Sequence, residues 1–386
     1  MTKKQCPALA VILLLLAIGC LTAGEWGLCR IKPLLEYAAP CDPSRQSTEH
    51  ADSPLLSALA QLREALPEAD VSAFMLRRGL SIQAASGREA ECSVYSVATG
   101  WFDLYHRALH AGRLLGEREI AGGERVALVN ERLAYALWGD TTVTEQFILL
   151  DGEPFRVVGV VRHEKAPGQT EPNELYIPLS AAVEMGLDGD IQVLASNGKR
   201  QTVYFAAASS VLPGGTGYSL EKERARAELP LRCLVVLFML TFLSWFRKLV
   251  NRLNRRRLDA WKARHALVYG KEMIRPSLRL AALCLAGYGL WLVAAYITLQ
   301  LAIAPAAIFR EWIPDDPSRL SSYGNAIRGA LEQQMVLHST STENVLSMRF
   351  YGGLIRIGSI AGLIAGSLRG GRVRACDSAS LLCLRS

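Results

Sequence analysis

The sequence predicts an α+β extracytoplasmic domain inserted between transmembrane helices 1 and 2 of a four-helix all-α membrane domain. Three observations carry this expectation. Four apolar stretches, residues 7–26, 229–246, 280–304 and 350–368, approach the roughly 20 residues that a bilayer crossing requires. The long segment between the first two mixes strand-like and helix-like runs without the regular βα alternation of a doubly wound sheet. Charge is also divided: from Glu25 to Glu228 there are 20 Lys/Arg against 28 Asp/Glu, a balance of −8, so the remainder carries +15 of the net +7.

The first span (1–26) follows Lys3 and Lys4 and contains "LAVILLLLAIG", a run that also suits the apolar core of a signal peptide. "LAIGC", ending at Cys20, loosely fits a lipoprotein cleavage site. In the outer segment (27–228), residues 53–66 form an amphipathic helix stopped by Pro67, with Asp52 or Ser53 as cap. Strands are expected at 71–76, 92–98 and 125–129, the last running into a helix at 130–138 with Leu133, Ala134 and Leu137 on one face. Residues 147–150 and 155–161 make a hairpin across Asp151-Gly152, a tight-turn pair, and Gly159 among its valines marks a close backbone approach. Residues 175–179, 192–194 and 201–206 complete the strands. "LPGGTGYS", 212–219, reads as a connection. Helix formers at 218–232 continue the second span outward as a stalk.

The second span (229–246) carries Arg232 near one end, where its side chain can snorkel. In the loop 247–279, eleven cations face only Asp259 and Glu272, so the positive-inside rule places it in the cytoplasm with Lys3, Lys4 and the tail "RGGRVR". Its bracketing by two spans argues against nucleic acid. Phe246, Val250, Leu253, Leu258, Trp261 and Val268 make an imperfect apolar stripe, which suits a helix lying on the inner membrane surface with its cations on lipid headgroups. The third span (280–305) has no charge between Arg279 and Arg310. An outer loop (306–349) leads to the fourth span and basic tail (350–386). There Arg356 costs about 2.5–3.5 kcal/mol at mid-membrane, and starting the helix after it leaves too few residues to cross. Gly358, Gly362 and Gly366 recur every fourth residue, a stripe that permits close approach of a second protomer or of another helix of this chain.

Catalytic signatures are absent. There is no GxxxxGK[ST] loop, "LPGGTGYS" lacking the lysine, and no HExxH, GxSxG or CxxC. His106 and His110 have a spacing that would suit a metal on a helix. Cys29 and Cys41 fall in the outer segment, where an oxidising compartment permits a bridge. The chain is accordingly read as a non-enzyme that binds no cofactor.

Four pieces in order, "VATGWFDLYHRALHAGR", "ERVALVNERLAYALWGD", "FILLDGEPFRVVGVVRHE" and "ELYIPLS", resemble the periplasmic core domain of MacB/FtsX-type ABC transporter permeases. The landmarks are Gly112 and Arg113 after an aromatic-rich strand, Trp138-Gly139, the valines of 157–161, and Pro178. The membrane plan is similar too, although the 306–349 loop is longer than that family's and Arg356 departs from it. The resemblance implies a cytoplasmic ABC ATPase as a separate chain that holds the ATP. It also implies a second permease chain, with a periplasmic adaptor among the partners such a plan engages. Coupling to the ATPase would fall to Arg255, Arg256, Arg257, Trp261, Arg264 and Lys271. The competing class is a membrane-anchored extracytoplasmic binding or sensor protein with no ATPase partner.

Overall fold

The structure, a computed structural model, describes residues 5–41, 54–164, 167, 173–264, 274–309, 319, 321–324, 328 and 342–383. It divides into an outer unit, Trp26–Arg224 with Leu331–Tyr351, and a membrane unit, Met1–Glu25, Ala225–Ala330 and Gly352–Ser386.

The outer unit is built on a ten-stranded mixed sheet. In chain order its elements are β1 (Leu35–Pro40), α2 (Pro54–Ala65), β2 (Val71–Ala84), β3 (Glu89–Val97), α3 (Trp101–Tyr105), β4 (Leu109–Gly112) and α4 (Glu117–Ala121). They continue with β5 (Val126–Asn130), α5 (Glu131–Trp138), β6 (Phe147–Leu150), β7 (Glu153–Val161), β8 (Glu174–Pro178), α6 (Leu179–Glu184), β9 (Ile191–Ser196), α7 (Gln201–Val211) and β10 (Thr216–Ser219). The spatial order is β10-β1-β9-β2-β3-β8-β5-β7-β4, with β6 against β2 and β7. Among the described residues, only β3–β8 and β5–β7 pair in parallel.

Local chemistry explains several elements. Asp151 (φ 49°) and Gly152 (φ 85°) both take positive φ, the two-residue turn that matches the twist of a hairpin. The Asn130 side chain accepts from the Leu133 N–H at 2.9 Å to start α5, and Gly139 ends it in the left-handed conformation. In α2 the buried residues Leu55, Ala58, Leu59 and Leu62 follow the helical repeat. Gly159 does admit another backbone: a Cβ there would stand 2.3 Å from the Arg113 carbonyl oxygen, and one on Gly112 (φ 75°) would stand 2.4 Å from that of Val158. Any side chain at either glycine therefore drives β4 and β7 apart.

Both faces of the sheet are covered. One packs Leu35, Tyr37, Ala73, Val94, Leu175 and Leu194 with α2, α5, α6 and α7 into the main core. Successive residues point to opposite faces, so Glu36, Phe74, Tyr95, Tyr176 and Val193 occupy the other, described below.

The membrane unit contains most of four long helices: α1 (Gln5–Arg30), α8 (Leu220–Arg264), α9 (Ile274–Ile308) and α10 (Glu343–Cys383). Each holds a stretch long and apolar enough to cross a bilayer. Within this unit α8 and α9 run antiparallel. Trp291 donates its indole N–H to the Leu243 carbonyl at 3.1 Å, Tyr288 donates to Asn251 at 2.7 Å, and Val250 packs on Gly287.

The structure corrects four expectations. Residues 201–206 belong to helix α7, with Tyr204 and Ala208 buried one turn apart. The stretch after Gly100 opens with a helical turn, α3, before strand β4. "LPGGTGYS" ends in β10, which pairs antiparallel with β1. The basic segment is no separate surface helix, since α8 runs from the stalk through the apolar span to Arg264 without a break. Of its apolar stripe, Val268 lies outside the described residues.

Candidate functional site

The second face of the outer sheet carries an aromatic and acidic cluster. Phe74 on β2, Tyr95 on β3 and Tyr176 on β8 point there together, and α3 lays Trp101 and Tyr105 over them. Tyr95 stacks on Tyr176 at 5.1 Å between ring centroids, Trp101 on Tyr105 at 5.0 Å, and Phe74 meets Tyr105 edge-on at 5.4 Å. Arg107, just past α3, lies 5.9 Å from the ring centroids of both Trp101 and Tyr176, within cation–π range.

Onto this face the outer unit receives residues 342–351, the lead-in and first turns of α10. Glu36 of β1, 0% exposed, accepts hydrogen bonds from Tyr105 (2.9 Å), Asn344 (2.7 Å) and the Thr342 hydroxyl. The same Thr342 oxygen receives the Val345 N–H at 3.4 Å, so one side chain both starts the helix and fastens it to β1. Glu343 accepts a hydrogen bond from the Tyr95 hydroxyl and faces Arg107 at 3.7 Å. Tyr351 packs on Gly27, where even a Cβ would stand 2.2 Å from its ring.

The electrostatics follow from burial. Burial pushes the Glu36 carboxyl above its ordinary range, and the bonds from Thr342, Asn344 and Tyr105 offset this only in part. Burial likewise holds the Tyr95, Tyr105 and Tyr176 hydroxyls protonated to well above their ordinary value. At Arg107 burial opposes the charge, but Tyr176, Glu174, Glu343 and Tyr95 outweigh it and the guanidinium stays charged. Alongside the cluster is a cavity of about 770 Å³, with Arg30, Lys32, Glu36, Trp101, Arg107 and Glu343 in its wall. The arrangement is suited to gripping a segment by hydrogen bonds and ring packing.

The residues singled out from sequence are spread over several elements. Arg255, Arg256 and Arg257 are exposed on α8, Trp261 is half-buried and Arg264 is its last residue, while Lys271 lies outside the described residues. For the glycines of α10, the neighbour is now defined within the membrane unit. A Cβ on Gly358 would stand 2.9–3.1 Å from Leu21, Ala17 and Cys20 of α1, and one on Gly362 would only touch Leu234 and Ala17. Among the described residues nothing lies within 4 Å of a Cβ on Gly366. Gly358 therefore packs closely on α1 of the same chain, while Gly362 touches α1 and α8 only loosely.

His106 and His110 do not converge: His106 lies 3.1 Å from the Phe102 carbonyl, and His110 pairs with Glu131 at 2.8 Å. Among the described residues, no group of three or more His, Cys, Asp or Glu could hold a metal. Cys29 and Cys41 are both free thiols. Arg224 reaches the Cys29 sulfur at 3.3 Å, whereas burial pushes the Cys41 thiol up to about 11. Arg113 binds Glu119 through two nitrogens while Glu119 accepts the Gly116 N–H, which lowers the Glu119 carboxyl and locks the turn into α4. Sequence reasoning missed Glu36, Arg107 and Thr342. The one available signal was an acid, Glu36, set in an otherwise apolar run, "LLEYAAP".

The domain and four spanning helices define the class, a multi-pass membrane protein with a large extracytoplasmic domain. Residues 36–213 match the family profile of the MacB-like periplasmic core domain. Over those residues the chain is similar to the periplasmic core domain of MacB-type proteins. Two uncharacterized ABC transporter permeases of Bacillus subtilis (strain 168) are similar to it. YknZ is 20% identical over 92 residues, 24% of this chain and 23% of its own length; YvrN is 29% identical over 90 residues, 22% of each. The matches thus span under a quarter of those relatives. Among solved structures, the periplasmic region of MacB from Actinobacillus actinomycetemcomitans gives a TM-score of 0.38 at 16% identity, over 49% of this chain and 90% of that one. The extracellular domain of YknZ, described as a noncanonic ABC-type transporter of Gram-positive bacteria, gives 0.36 at 15%, over 46% and 92%.

Proposed function

We propose that this chain is the membrane subunit of an ABC transporter whose ATPase is a separate cytoplasmic protein, with ATP bound there and no catalysis here. The observation that carries this reading is the MacB-like core domain at residues 36–213, set between α1 and α8. The grip on residues 342–351 adds a means of transmission, because it ties that domain to the helix whose later turns form the fourth span. Changes in helix packing driven by the ATPase at Arg255, Arg256, Arg257, Trp261, Arg264 and Lys271 would move the outer domain. Work would thus be done on a peptide, drug or lipoprotein outside the membrane, as efflux or export. A second permease chain completes the transporter, and a periplasmic adaptor extends it where an outer membrane is present.

Affinity purification in mild detergent from its native host, followed by an ATP-hydrolysis assay, tests the reading. An ATPase that copurifies and is stimulated by the chain is expected; its absence would sink the proposal. The cavity of about 770 Å³ favours a second reading, a membrane-anchored sensor that binds a ligand outside. That reading expects ligand-dependent stabilisation and no ATPase.

A further inference from the structure

The hairpin of α8 and α9 disagrees with itself about where the membrane ends. Its contacts, Trp291 on Leu243, Tyr288 on Asn251 and Gly287 against Val250, set residues 247–257 of α8 alongside roughly 280–290 of α9. On α8 the cations begin at Arg247 and Lys248, while on α9 the apolar run starts only after Arg279. The two inner boundaries therefore differ by about ten residues, or ~15 Å at 1.5 Å per residue.

Two rows of side chains meet at this level. Arg247, Asn251 and Arg255, at four-residue steps, share one side of α8. Leu285, Tyr288 and Leu292, at steps of three and four, share one side of α9 and are 70%, 42% and 60% exposed. The Asn251–Tyr288 hydrogen bond joins the rows. Among the described residues neither Arg247 nor Arg255 has an ion-pair partner, and the only acid from 247 to 264 is Asp259. Free cations beside exposed apolar side chains, continuous with a bilayer span, match a ligand with an anionic head and an acyl tail.

We propose that this hairpin binds an anionic phospholipid of the inner leaflet. Its phosphate sits on Arg247, Asn251 and Arg255 at the level of Tyr288, and one acyl chain runs along Leu292 and onward toward the bilayer centre. Such a lipid gives the arginines an anion and Leu292 a hydrocarbon neighbour. The inference is independent of the ATPase assignment, although Arg255 belongs to both.

The test uses the full-length protein reconstituted in phosphatidylcholine vesicles with and without phosphatidylglycerol, then extracted and weighed intact by native mass spectrometry. Retained phosphatidylglycerol is expected. R247Q/R255Q should weaken the preference about thirtyfold, roughly tenfold or less for each cation lost, while R247K/R255K keeps most of it and serves as the folding control. Equal retention by the glutamine variant overturns the proposal, as does full displacement by free glycerol phosphate, which would mean that the acyl chain plays no part. If the glutamine variant keeps its lipid but loses a copurifying ATPase, the surface is a protein interface and the lipid site is refuted.

Discussion

Residues 342–351 of α10 are held by named polar and aromatic groups, with Glu36, Tyr95 and Arg107 each engaging a particular partner. Residues 352–366 are held by shape, Gly358 admitting α1 and Gly352 lying against Ala227 of α8. The contrast follows from the two solvents. Outside the bilayer, burial of apolar surface drives association, and a buried carboxylate with three donors selects one register and rejects others. Inside it, lipid is as apolar as any leucine, so fit between small residues decides which helices meet. One helix is thus keyed chemically in one stretch and sterically in the next.

Breaking the chemical key should have the largest effect. Trp101 is 1% exposed and underlies Tyr105 and Arg107, so Trp101→Ala is expected to cost about 3–5 kcal/mol, seen as a lower thermal midpoint of the outer unit by limited proteolysis. The steric key comes next. Gly358→Leu should cost about 1–3 kcal/mol through overpacking against α1, whereas Gly366→Leu, with nothing within 4 Å, should be near neutral. Detergent stability of the two variants side by side reads the difference, and equal loss would remove the comparison. Thr342→Val keeps the shape but removes both the cap and one Glu36 bond, for about 1–2 kcal/mol; hydrogen exchange at residues 343–347 should rise while exchange near Gly358 stays unchanged.

The smallest effect is the pH dependence. Glu36 has its folded-state affinity for protons raised, so the folded chain binds more protons than the unfolded one just above the ordinary carboxylate range. Stability of the outer unit is therefore greatest on the acid side of that window and declines as pH rises through the folded value. Glu36→Gln should flatten this part of the profile. A wild-type midpoint that instead rises with pH across the window would contradict the assignment.

Local patterns carried much of the fold into the sequence. The Asp151-Gly152 turn, the capped helix after Asn130 and the apolar spans each declare themselves within a few residues. Tyr204 and its neighbours Val203 and Phe205 misled because they favour strands, yet the alanines that follow and the burial of Tyr204 with Ala208 make a helix. The grip on α10 was illegible for a different reason. Glu36 and Thr342 stand 306 positions apart, and no periodicity relates an acid on the first strand to a helix cap near the last span. The basic stripe at 247–264 was visible, but only the unbroken α8 shows that it is an extension of a span.

The chain's first passage through the outer domain, Trp26–Arg224, begins and ends beside neighbouring strands. Leu35 of β1 stands opposite Ser219 of β10, and the Leu220 N–H bonds the Leu34 carbonyl at 2.9 Å. Forces that draw these two threads in the same direction load the whole ladder at once and carry the domain as one piece. Forces that pull them apart would unfasten it rung by rung from the Leu220 end, so the seam is stiff to towing and weak to peeling.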